Sequence, residues 1–313
     1  MEAEFPPLRS LNDLLHNLPL QLTSCVGREE EIREIKRLLC PKQSGGSSTP
    51  FGIELAAAKI NLLSIRQIAA RLDKNFHDLK GGSVTTDKRH RTLTALIDWS
   101  YNLLQPPEQT LLRRLSVFAG GWTLEAAEAI CVETDEEFDV LEALSRLEQS
   151  SLLLVEEQAE SNRFRLLETI RQYAADKHLA TEAAEDVRTR HLAYFVRLAE
   201  QAESYLTRKE QGEWKRTLDA DHDNFRAALS SSEDPQQRLR LAGALWRFWS
   251  MQGYISEGLH WLKDALSDCR DGSSQIRAGA LNGLGVLAVQ QNDHTTAQTA
   301  LEESLALYIG LEA

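Results

Sequence analysis

Apolar residues recur at helical spacing along most of the chain. From Arg28 a first turn with three glutamates leads into Ile32, Ile35, Leu38 and Leu39 on one face, and Cys40-Pro41 ends the pattern. PKQSGGSSTPFG then reads as a loop or flexible linker. IELAAAKI lacks breakers and resumes a helix from Gly52, and a short helix follows Ser64, where Gln67 completes a capping box and Ile65, Ile68, Ala69 and Leu72 share a face. Beyond Gly81-Gly82, the spacing predicts a helix over 92–104 with Leu93, Leu96, Ile97, Tyr101 and Leu104 on one stripe, terminated by Pro106-Pro107. Leu111, Leu112, Leu115 and Phe118 mark the next helix, which Gly120-Gly121 ends. Thr123 can cap a short helix through Ile130, and Val140, Leu141, Leu144 and Leu147 mark another over 138–147. The β-prone SLLLV and RFRLL, separated by a polar stretch, form a hairpin. Three helices followed by a hairpin is the order of a winged helix.

The last third is wholly helical and carries a weak internal repeat. With Gly253 laid on Asn292, an offset of 39 residues (292 less 253), Leu245 meets Leu284, Trp249 meets Ala288, Leu262 meets Leu301 and Leu266 meets Leu305. The second copy has tetratricopeptide spacing at Leu281, Leu284, Gly285, Ala288, Ala297 and Leu301; small residues are needed where antiparallel helices touch. The aromatics Trp246, Phe248, Trp249 and Trp261 fall at seam-filling positions. The expected fold is therefore mainly α: a helical lobe, a winged-helix domain with a small β-hairpin, and a C-terminal tetratricopeptide-like α-solenoid.

Composition narrows the function. The formal charge is −12, from 47 acids against 35 bases, which opposes binding to nucleic acid or anionic membrane by this chain alone. One basic edge stands out, Lys88-Arg89-His90-Arg91, and an acid run near Glu133 to Glu142 is expected to cap and solvate a helix. Cys25, Cys40, Cys131 and Cys269 lie far apart, without metal-ligand spacing, so no metal or disulfide chemistry is expected. The N-terminal MEAEFPPLRS lacks the basic start and apolar run of a signal peptide, and no stretch approaches a membrane span; the expected location is the cytoplasm.

Four stretches carry a family resemblance: LPLQLTSCVGREEEIREIKRLL, IELAAAKINLLSIRQIAARL, RHRTLTALIDWSYNLL with LLRRLSVFAGGWTLEAAEAIC, and FRLLETIRQYA. Together with the repeats they resemble the bacterial transcription-regulator branch of the signal-transduction NTPases, of NB-ARC type. That resemblance implies the order nucleotide-binding core, helical lobe, winged helix and tetratricopeptide-like repeats, with ATP or ADP and magnesium as the family's ligands. It also implies a vestigial adenine contact at Val26, Gly27 and Arg28, from the VGRE element. The core motifs do not follow. A phosphate loop needs GxxxxGK and then Ser or Thr, so that backbone amides and the lysine can hold the phosphates, and no Gly-Lys-Ser or Gly-Lys-Thr occurs in the chain. Where the family places Met-His-Asp in the winged helix, with the histidine on the bound diphosphate, this chain has Leu166, Leu167 and Glu168; leucine cannot donate that hydrogen bond.

The domain reading is a leader at 1–22, a remnant of the nucleotide-binding start at 23–40, a linker replacing the core at 41–51, a helical lobe at 52–80, a winged helix at 89–180 and repeats at 186–313. No catalytic residue, metal site or bound cofactor is expected. The expected function is a non-enzymatic protein-interaction module derived from an ATP-dependent regulator, with Arg240, Arg247, Asn282 and Gln290 presenting polar groups to a protein or peptide on the repeat face. Two alternatives stand beside it: a DNA-binding regulator, and a truncated fragment without function.

Overall fold

The computed structural model describes residues 85–132, 139–157, 162–179, 183–231, 233–269 and 274–312. The expectations for 1–22, 23–40, 41–51 and 52–80 lie outside the described residues. The chain divides into two units, 1–96 and 97–313, and every element after the first helix belongs to the second. Helix α1 (Thr85–Asn102) starts earlier than its apolar stripe and takes in the backbone of Lys88 to Arg91. It ends two residues short of Leu104, which is nonetheless buried.

Pro106-Pro107 opens the next helix, α2 (Pro106–Leu115), occupying first-turn positions where no backbone donor is needed. The Glu108 carboxylate accepts from Gln105 N at 2.8 Å to cap it. The helix stops at Leu115, and Gly120 turns the chain with φ +83° into strand β1 (Gly121–Trp122). The glycine pair thus opens a strand instead of ending a helix; a two-residue strand is too short to show an alternating pattern. Thr123 caps α3 (Leu124–Cys131) through Ala126 N, and Asp139 caps α4 (Val140–Gln149) through Glu142 N. Strands β2 (Leu154–Glu156) and β3 (Arg163–Arg165) follow, and the sheet runs β1-β3-β2, antiparallel throughout, with both Trp122 and Val155 opposite Phe164. Helix α5 (Glu168–Leu179) packs on α2, and its Tyr173 hydroxyl donates to Asp98 at 2.5 Å. Phe118 stacks on Trp122 at 4.9 Å in a core completed by Leu112, Leu115, Ile130, Leu147 and Leu152.

The remaining helices are α6 (Ala184–Tyr205), α7 (Gln211–Ala220), α8 (His222–Ser231), α9 (Pro235–Gln252), α10 (Ile255–Asp268), α11 (Ser274–Gln290) and α12 (His294–Glu312). Helices α6, α9 and α11 pack side by side, α10 pairs with α9, and α12 pairs with α11, giving a solenoid-like array in a mainly helical protein.

The 39-residue register appears in the backbone. Gly253 (φ +80°) and Asn292 (φ +62°) are both left-handed at the ends of their helices. Tyr254 N donates to Trp249 O at 2.9 Å, and Asp293 N donates to Ala288 O at 2.9 Å. The seam-filling reading holds for Trp246, Phe248 and Trp249, all buried, whereas Trp261 is only half-buried. The register fails in burial at its far end: Leu266 is 7% exposed beneath α11, and Leu305 on α12 is 60% exposed.

Close helix contact requires glycine at three places. A methyl on Gly283 would lie 2.5 Å from Trp246 Cγ, one on Gly285 would lie 2.5 Å from Leu301 Cγ, and one on Gly258 would lie 2.6 Å from Leu287 Cδ1. Gly283→Ala is therefore expected to lower stability by about 1–3 kcal/mol through overpacking, despite alanine's better helix propensity. Gly212→Ala on α7 meets nothing within 4 Å and is expected to be neutral or slightly stabilising. Urea denaturation of the two variants followed by circular dichroism checks the contrast.

Candidate functional site

Val26, Gly27 and Arg28 lie outside the described residues. Arg240 and Arg247 sit on α9, and Asn282 and Gln290 sit on α11, which packs against it. Each guanidinium is drawn toward α6. Arg240 forks onto Glu200, with both Nε and Nη2 at 2.8 Å, while its Nη1 donates to Gln237. Arg247 lies over the Trp246 ring at 4.3 Å, and its Nε is buried with no hydrogen-bond partner among the described residues. Burial pushes the nearby Glu203 carboxyl up, and Arg247 pulls it back down. Gln290 donates to Ser250 Oγ of α9 at 2.8 Å, and Asn282 is half-buried on α11. Arg240, Arg247 and Gln290 thus meet Glu200, Glu203 and Ser250, which the sequence pattern did not single out, across three adjacent helices, and Asn282 shares α11 with Gln290. Such pairs are partly solvated and contribute little to stability; they leave a charged, rigid surface.

The winged helix presents a different face. On α4, Leu141, Glu142, Ser145, Arg146, Glu148 and Gln149 point outward. Arg146, the helix's one basic residue, donates to Glu108 at 3.0 Å and to Glu142 at 2.6 Å, and these bonds raise its pKa. On the hairpin, Arg165 pairs with Glu156 at 3.3 Å, and Glu157 is exposed. The side chains of Lys88 to Arg91 are outside the described set.

Between these two faces lies a built junction. Arg163 of β3 is turned inward, where its Nη2 donates to Asp221 Oδ1 at 2.7 Å, Gly121 O at 2.8 Å and Ala220 O at 3.1 Å. Both partners of that ion pair are at least nine-tenths buried. Asn224 of α8, with no exposed surface, donates to Gly121 O at 2.8 Å and to Asp221 Oδ1 at 3.1 Å, and accepts from Ala119 N at 2.9 Å. An apolar stack runs alongside: Trp122, Phe118, His191, Phe195 and Phe225, each ring 4.6–5.6 Å from the next. Sequence reading missed this junction because its partners stand as far as 105 residues apart. The His191 ring is almost wholly buried in the stack, which pushes its pKa down to about 3. His178 is pushed down to about 4 by burial and by Arg113, Arg188 and Arg114.

Among the described residues no group of His, Cys, Asp and Glu could hold a metal ion, and no helix is long and apolar enough to cross a membrane. Cys131 and Cys269 are free and buried, and burial pushes the Cys131 thiol up to about 12.

Residues 104–179 match the family model described as a winged helix-turn-helix domain. The helix order and three-stranded sheet agree, and this segment is a winged helix-turn-helix domain. A protein of Mycobacterium tuberculosis (strain H37Rv) whose name describes it as an HTH-type transcriptional regulator is 36% identical over 247 residues, covering 76% of this chain and 28% of the relative. Its Mycobacterium bovis counterpart matches to the same extent. An uncharacterized protein of M. tuberculosis is 36% identical over 156 residues, covering 49% of this chain and 39% of its own. The chain thus spans under a third of the length of the regulators it matches. A crystal structure of a signal transduction ATPase with numerous domains and a tetratricopeptide repeat sensor, from Pyrococcus horikoshii, aligns over 84% of this chain and 42% of its own, at 15% identity and TM-score 0.36.

Asp221→Ala leaves a buried guanidinium unpaired and is expected to cost about 3–5 kcal/mol, whereas Arg163→Met with Asp221→Leu recovers most of that loss; urea unfolding of the single and double variants measures it. The histidines give a pH dependence of definite sign. Their folded pKa values lie below the ordinary 6.5, so the unfolded chain takes up protons first. Stability is then lost progressively as pH falls from about 6.5 toward 3, and His191→Leu is expected to flatten that slope in denaturation midpoints read across the range.

Proposed function

We propose that this chain is a non-enzymatic regulatory module, derived from an ATP-dependent regulator of transcription, in which a winged helix is fixed to a helical platform that holds a protein partner. The observation that supports it most is the junction. Arg163, on the hairpin strand, is buried against Asp221, so the winged helix and the array form one body and a load on either is felt by the other. The partner surface in this reading is the polar row with Arg240, Arg247, Asn282 and Gln290, where Glu200 and Gln290 are exposed to an incoming polar group. Lack of a Gly-Lys-Ser or Gly-Lys-Thr element favours a module without nucleotide hydrolysis.

A second reading, a DNA-binding regulator, is favoured by the winged-helix match and by the relatives' names. Direct readout needs free basic groups on the recognition helix, and on α4 the outward face has Glu142 and Glu148 against Arg146, already engaged by two carboxylates. DNA binding would therefore fall to Lys88, Arg89 and Arg91.

Fluorescence anisotropy with mixed-sequence duplex DNA at low salt, where sequence-independent attraction is strongest, separates the two readings. The module reading expects no complex and, in calorimetry, no magnesium-dependent heat with ATP. A DNA complex abolished by replacing Lys88, Arg89 and Arg91 with alanine establishes the second reading, and micromolar ATP affinity refutes the first.

A further inference from the structure

A cleft of about 600 Å³ opens between the winged helix and the array, on a different side chain set from the polar row. One wall is the Ala119-Gly120 turn and the first turn of α5, with Glu168 and Arg171; the other is α8 and α10, with Asp223, Arg226, Glu257, His260 and Trp261. Its size lies within the roughly 300–1,000 Å³ of small-ligand and side-chain pockets.

The cleft's basic groups are already used. Arg171 forks onto Glu168 at 2.8 and 2.7 Å and turns its remaining nitrogen to Ser116 O at 3.4 Å. Arg226 forks onto Glu257 at 2.8 and 2.6 Å, and its third nitrogen meets Asp223 Oδ1 at 3.1 Å. Each guanidinium already has its charge matched by carboxylates of the same chain, which weakens its pull on an anion. The carboxylates do have capacity: Glu168 and Asp223 are 69% and 63% exposed, on opposite walls, and each ionised oxygen accepts more than one hydrogen bond. Three acids against two arginines leave the lining net negative. Trp261, half-buried and 5.1 Å from His260, supplies an aromatic part of the cleft wall.

We infer that this cleft receives an arginine side chain from a partner protein, its guanidinium stacked on Trp261 and forked between the carboxylates of Glu168 and Asp223. Arginine fits better than a point-charge ammonium, because a planar cation can lie on the indole while its edge donors reach opposite walls. The site is independent of the polar row and of the module reading. Occupied, it ties α5 of the winged helix to α8 and α10 of the array.

The test is calorimetry of the full chain at low salt with the blocked peptide Ac-Gly-Arg-Gly-Arg-Gly-NH2 and its glutamate counterpart. The arginine peptide is expected to bind and the glutamate peptide not. Trp261→Ala is expected to weaken binding about five-fold, and Glu168→Gln with Asp223→Asn to abolish it, with unfolding midpoints confirming that these exposed replacements leave the fold intact. An arginine peptide that does not bind, or that binds equally to wild type and to Trp261→Ala through the chain's overall negative charge, overturns the assignment.

Discussion

Removing a guanidinium from water is tolerated only where a carboxylate and further acceptors meet it, and at Arg163 those groups come from two parts of the chain. Gly121 belongs to the winged helix, while Ala220 and Asp221 belong to the helical array. Asn224 shares the same carboxylate oxygen and the same Gly121 carbonyl, so separating the two parts would strand several polar groups at once. The aromatic stack beside it gives the apolar share of the contact. Because the buried polar groups admit one geometry, the orientation of the winged helix on the array is specific as well as stable.

Pairing with a carboxylate recurs at other arginines of the chain. Arg146, Arg163, Arg165, Arg171, Arg226 and Arg240 are each held by a carboxylate of the same chain. These six are matched internally, and with 47 acids against 35 bases the chain as a whole keeps an excess of acceptors. On α4 of the winged helix the outward face sets Glu142 and Glu148 beside the engaged Arg146.

Legibility in the sequence tracked the range of the interactions. Helix faces and caps are local, so the Thr123 cap and the repeat register were readable, the latter because Gly253 and Asn292 occupy matching left-handed positions, while Asp139 was expected only as part of an acid run that caps a helix. Strand β1 was not, since two residues show no periodicity, and Pro106-Pro107 starts a helix as readily as it follows one. Arg240 and Arg247 could be placed on a helix from spacing alone. Their counterparts Glu200 and Glu203 could not, because only the packing of α6 on α9 brings them near. The junction was least legible of all, each of its long-range bonds joining residues that no local window contains together.

The matched turns at Gly253 and Asn292 have a geometric corollary. A shared backbone conformation and a shared closing hydrogen bond mean that the chain leaves both helices by the same kind of corner, so α10 returns along α9 as α12 returns along α11. A side chain at either corner must tolerate the left-handed region, which glycine does without strain and asparagine does more readily than most residues.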